Sequence, residues 1–78
     1  MARLVLFGPA REAAGTSNGE FEGLSVDEVL REAVARYGSS FADVLSISQI
    51  WMNGEPSRGL VAVGPSDEIA VLPPISGG

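Results

Sequence analysis

Cysteine and histidine are both absent from this 78-residue chain, and their absence removes whole classes of chemistry. Disulfide scaffolds, thiol nucleophiles, Cys or His zinc sites and Ser-His triads are excluded. Lysine is missing as well, since the five cationic residues are Arg3, Arg11, Arg31, Arg36 and Arg58. A phosphate-binding P-loop, a Schiff base and any lysine acceptor for isopeptide linkage go with it. Positive charge is scarce overall: ten acidic residues leave a net charge of −5. That balance argues against a nucleic-acid or anionic-membrane partner and suits a basic protein partner. No apolar run approaches the length needed to span a membrane. Only four apolar residues separate Arg3 from Gly8-Pro9, so no secretory leader is expected, and a cytoplasmic setting is the expectation. The length suits one small domain with a thin core.

What is present reads as an α+β chain. Residues 3–7 (RLVLF) form a continuous apolar run rich in strand formers, closed by Gly8-Pro9, and predict an interior strand. Pro9 suits the first position of a short helix over residues 10–14, with Gly15 as a left-handed cap and Arg11 as a solvated charge. After the turn residues 16–19, Glu20-Phe21-Glu22 alternates as an edge strand does. Ser25 and Glu28 form a capping box, and Leu24 can staple onto Val29. Val26, Val29, Leu30, Ala33, Val34 and Tyr37 then share one face of a helix that Gly38 ends. Residues 41–45 predict a short helical connection, residues 49–52 a strand, and Asn53-Gly54 a turn. A loop over 55–59, a strand over 60–63, a turn at 64–67 and a last strand over 68–72 complete the order. One apolar helix stripe needs one sheet to cover it, so the expected architecture is a roll of one sheet on one main helix.

That sheet has a second face. With Leu4, Leu6, Ile50, Met52, Ile69 and Val71 toward the helix, alternation sends Val5, Phe7, Trp51, Ala70 and Leu72 outward. A solvated face should be polar, so an apolar one predicts a protein-docking surface, with Phe7, Trp51 and Leu72 as its principal residues.

The last strand leads into residues 73–78, PPISGG, which predict a tail distinct from the domain at 1–72. Pro73 stops the strand because it offers no N–H to a ladder. Successive prolines favour extended backbone, and at about 3.1 Å per residue the six-residue segment reaches on the order of 18 Å. Pro73, Pro74, Ile75, Ser76 and Gly77 are therefore candidates for insertion into a partner's active site. Gly77 and Gly78 carry no side chains, which suits passage down a narrow slot and leaves the Gly78 carboxylate as the candidate reactive group. A carboxylate with pKa of roughly 3.3 to 3.7 is anionic at neutral pH and a poor electrophile, so it must first be coupled to a leaving group. An acyl-adenylate provides one. With cysteine, histidine and lysine all absent, the machinery is expected on partners.

The segments LFGPAREAAG, SVDEVLREAVARYG, NGE and SDEIAVLPP, with the terminal GG, together resemble the MoaD/ThiS group of ubiquitin-like sulfur carriers over essentially the whole chain. LFGPAREAAG and LPPISGG are most similar to the MoaD branch, the small subunits of molybdopterin synthase. The resemblance implies a β-grasp fold, with activation at Gly78 by an E1-like adenylating enzyme of MoeB type. That enzyme, not this chain, would use ATP and magnesium; no cofactor or metal is expected here. It further implies a Gly78 thiocarboxylate that gives sulfur to cyclic pyranopterin monophosphate inside a MoaE-like large subunit. Two neighbouring roles share this chemistry: a sulfur carrier for thiamine, cysteine or tRNA thiolation, and a modifier joined to target lysines. A non-covalent β-grasp binding module is a third.

Overall fold

The apolar stripe of the main helix decides where the sheet lies. The computed structural model describes residues 1–57 and 61–73. In chain order these form β1 (Ala2–Leu6), α1 (Pro9–Ala14), β2 (Asn18–Phe21), α2 (Val26–Tyr37), α3 (Ser39–Leu45), β3 (Gln49–Met52), β4 (Glu55–Pro56) and β5 (Glu68–Leu72). The sheet order is β2-β1-β5-β3-β4, with β1 and β5 parallel and the other pairs antiparallel. Val26, Val29, Leu30 and Ala33 of α2 are buried together with Leu4, Leu6, Ile69 and Val71 of the two central strands, while Ile50 and Met52 are partly buried against the same core. Fully burying each such aliphatic side chain is worth about 1.5–3 kcal/mol.

Helix α2 starts as its residues dictate, with one difference. The Glu28 N–H donates to Ser25 Oγ at 3.3 Å, but the Glu28 carboxylate accepts the Leu24 N–H at 3.1 Å, one residue before the cap. The expected staple does not form: Leu24 is 77% exposed. Gly23 occupies the position beside Val29 instead, where an added Cβ would stand 2.9 Å from both Val29 Cγ2 and Val29 N. At the other end Tyr37 stacks edge-on between Phe21 and Phe41, with ring centroids 5.7 and 5.2 Å away. Those rings tie α2 to β2 and to α3, whose Phe41 is completely buried. The connection at 41–45 is thus a helix that starts two residues earlier and supplies a core residue.

Several boundaries move. The first strand ends at Leu6 rather than Phe7, and the second begins at Asn18 and stops at Phe21, leaving Glu22 outside. The expected loop over 55–59 opens with β4, because Asn53 (φ 52°) and Gly54 (φ 85°) make a two-residue hairpin turn that pairs Met52 with Glu55 and Trp51 with Pro56. The strand expected over 60–63 is corrected. Residue 60 lies outside the described residues, and 61–63 make only an isolated bridge, Ser25 to Ala62. Their backbone is drawn to the start of α2: the Val26 N–H donates to the Val61 carbonyl at 2.9 Å and the Val63 N–H to the Leu24 carbonyl at 3.0 Å. The first of these bonds satisfies the Val26 N–H, a helix-start donor that has no intrahelical partner.

Candidate functional site

Cross-strand register builds the outer face of the sheet. Val5 pairs with Ala70 and Ala70 with Trp51, so three strands place apolar residues in one row. Leu72 lies opposite Gln49 in the next row, and the Phe7 N–H continues the ladder beyond β1 by donating to the Val71 carbonyl at 3.1 Å. Phe7, Trp51 and Leu72, the expected docking residues, therefore share one face. Phe7 is 45% exposed, while Trp51 and Leu72 are half-buried. Trp51 keeps its indole N–H satisfied by Gln49 Oε1 at 3.2 Å, which holds the ring along its own strand.

The opposite end of the face is charged. Arg3 lies between Glu20 on β2 and Glu68 on β5, reaching the Glu68 carboxylate at 4.0 Å. The face thus grades from ionic at the start of β1 to apolar at its end, where β5 leads into Pro73. Pro73 is exposed. It lies against Gly8: a Cβ built on Gly8 would have Pro73 Cγ at 3.6 Å as its nearest neighbour. The candidate insertion residues Pro74, Ile75, Ser76 and Gly77, and the candidate reactive residue Gly78, lie outside the described residues. Two participants escaped the reading of the sequence. Pro56 joins the face opposite Trp51, a pairing that the Asn53-Gly54 turn would have given had its hairpin register been followed outward. Gly8 reaches Pro73 only through tertiary structure, with no local signal.

The far end of β5 is held by a polar knot. Asp67 accepts the Gly64 N–H at 2.8 Å and the Asn53 side-chain amide at 3.0 Å, and Asn53 Oδ1 accepts the Glu68 N–H at 2.9 Å. The backbone bond from Gly64, then the amide of Asn53, hold the Asp67 carboxyl below its ordinary pKa, outweighing slight desolvation. Among the described residues no group of three or more Asp or Glu is arranged to hold a metal ion, and no helix is long and apolar enough to cross a membrane.

A mixed sheet of order 2-1-5-3-4 wrapped on one main helix, with its last central strand running out beside an apolar face, defines a ubiquitin-like β-grasp protein. Residues 4–78 match the ThiS family, and the chain belongs to that family, among the MoaD/ThiS ubiquitin-like sulfur carriers. No curated protein matches the sequence. Among solved structures, small archaeal modifier protein 1 of Methanosarcina acetivorans is 32% identical, with 99% of this chain and 95% of that one covered and a TM-score of 0.80. A Helicobacter pylori complex of subunits 1 and 2 of molybdopterin-converting factor contains a chain 23% identical, with coverage of 99% and 97% and a TM-score of 0.72. A chain in the BexX/CysO complex of Amycolatopsis orientalis is 21% identical, covered end to end on both sides, with a TM-score of 0.80.

Proposed function

We propose that this chain is the sulfur-carrier subunit of a molybdopterin synthase, with the Gly78 carboxylate as its reacting group. The observation that carries the reading is the apolar outer face, whose exposed Phe7 stands at the end where β5 passes into Pro73. A partner seated there would receive the six residues from Pro73 onward, and the Helicobacter pylori relative comes from a complex of subunits 1 and 2 of the converting factor. Activation proceeds on a MoeB-like enzyme in the cytoplasm, which binds ATP and magnesium. The Gly78 carboxylate attacks the α-phosphorus of ATP and releases pyrophosphate. A sulfur nucleophile then displaces AMP and leaves a thiocarboxylate, which donates its sulfur to a pterin precursor within a MoaE-like large subunit. This chain contributes docking, reach and an end without side chains; histidine, cysteine and lysine are all absent from it.

Intact-protein mass spectrometry after incubation with the activating enzyme, ATP, magnesium and a sulfur donor tests the assignment. The unaltered chain should exchange one carboxylate oxygen for sulfur. A chain extended by one residue should not, because its carbonyl is displaced by about 3.3 Å or more. Equal thiocarboxylate formation in the extended chain would defeat the claim for Gly78.

One observation favours a second reading. The 32% identical relative is described as a modifier protein, and on this reading the same activated Gly78 would be joined to target lysines. Covalent adducts of a tagged chain in extracts, lost on removal of Gly77 and Gly78, would support that role over sulfur transfer.

A further inference from the structure

We propose that Gly8 is a positioning residue that aims the tail, an inference that rests on the carrier reading above. Gly8 stands at φ 57° and ψ −131°. That is the mirror image of ordinary extended backbone, open to glycine and costly for an L side chain. The nearest atoms to an added Cβ are all in the Pro73 ring: Cγ at 3.6, Cβ at 3.7 and Cδ at 3.8 Å. These are ordinary contact distances, so space does not require the glycine. The backbone angle does.

Three elements meet at that angle. The Phe7 N–H closes β1 on the Val71 carbonyl at 3.1 Å, and the Gly8 carbonyl accepts the Glu12 N–H at 3.2 Å to open α1. Pro9, at the first position of α1, limits adjustment on the other side. Pro73 rests on this corner as the chain leaves β5, so the conformation of Gly8 sets the surface against which the root of the tail lies. For a tail extended at about 3.1 Å per residue, residues 74–78 span on the order of 15 Å, and a swing of roughly 20° at Pro73 moves the far end by about 5 Å. Misplacement of even about 1 Å at a reacting centre can cost a hundredfold in rate.

The experiment compares the unaltered chain, Gly8→Ala, Pro73→Ala and a chemically synthesised chain with D-alanine in place of Gly8. D-alanine favours the observed angles because they mirror an allowed L conformation. Each is assayed for ATP–pyrophosphate exchange by the activating enzyme over a range of carrier concentrations, with thermal melting and nuclear Overhauser contacts between residue 8 and the Pro73 ring as readouts independent of activity. Gly8→Ala and Pro73→Ala should lower kcat by on the order of tenfold at nearly unchanged KM, since the outer face still docks. The D-alanine chain should keep both the contact and the unaltered kcat. Undiminished kcat in both single variants, or a D-alanine chain as slow as Gly8→Ala, would overturn the role of Gly8 and leave the carrier reading intact. If the unaltered chain shows the contact but no exchange, the carrier reading itself falls and this inference with it.

Discussion

At Gly23 the lack of a side chain has a structural cause that the sequence conceals. An added Cβ would stand 2.9 Å from the Val29 backbone nitrogen, and that atom belongs to the first turns of α2 and cannot withdraw cheaply. Gly23→Ala should therefore destabilise the domain by about 1–3 kcal/mol, the usual cost of overpacking, read as a lower urea midpoint at unchanged slope. Asp67 works through charge instead. Its folded-state pKa is depressed, so the stability it contributes is present above the unfolded pKa and is lost as pH falls through the lower, folded value. Asp67→Asn should melt below the parent protein at neutral pH, and the gap between the two should close as pH drops below about 4. A gap that stays constant across that range would show that the bonds to Gly64 and Asn53 matter by geometry alone.

Elements carry the docking argument. Strands β1, β3 and β5 supply Val5, Trp51 and Ala70 to one row, and the end of the β1–β5 pair supplies Phe7 and Leu72. Because Phe7 is exposed on the domain itself, Phe7→Asp should leave the melting temperature within a few degrees while weakening binding to a large subunit by on the order of tenfold or more. Calorimetric titration measures this directly, and unchanged affinity would remove the outer face from the interface. Helix α3 makes the opposite point: its fully buried Phe41 belongs to the core, so truncating it should be felt in stability and not in docking alone.

For the whole molecule, the question is whether domain and tail are separate in energy. Among the described residues the core runs from Ala2 to Val71, and Pro73, which follows β5, is exposed. Removing Gly77 and Gly78 should accordingly leave the melting temperature almost unchanged while abolishing thiocarboxylate formation. A large loss of stability on that deletion would show the tail to be packed. On the proposed function this division of labour suits a chain that has neither cysteine, histidine nor lysine: the body would present a face, and the chemistry would take place where the end of the chain meets other proteins.

Local signals were legible wherever a few adjacent residues decide the outcome. Ser25 with Glu28 marked the start of α2, Gly15 and Gly38 marked helix ends, and the run QIWM matched β3 residue for residue. Period-two alternation was enough to sort Leu4, Leu6, Ile69 and Val71 from Val5, Phe7, Ala70 and Leu72, because a sheet with one helix on it has only two faces. Tertiary structure decided what depends on partners distant in the chain. Residues 61–63 were strand-like in composition, yet their backbone groups bond to the start of α2, where the Val26 N–H lacks an intrahelical partner and the Leu24 carbonyl accepts from Val63. Leu24 was apolar at a staple position, yet Gly23 and Val29 close that space and leave it in solvent. Gly8 read as punctuation after a strand; only the parallel pairing of β1 with β5, some sixty-five residues apart in sequence, brings it under Pro73 and makes its backbone angle part of how the tail is aimed.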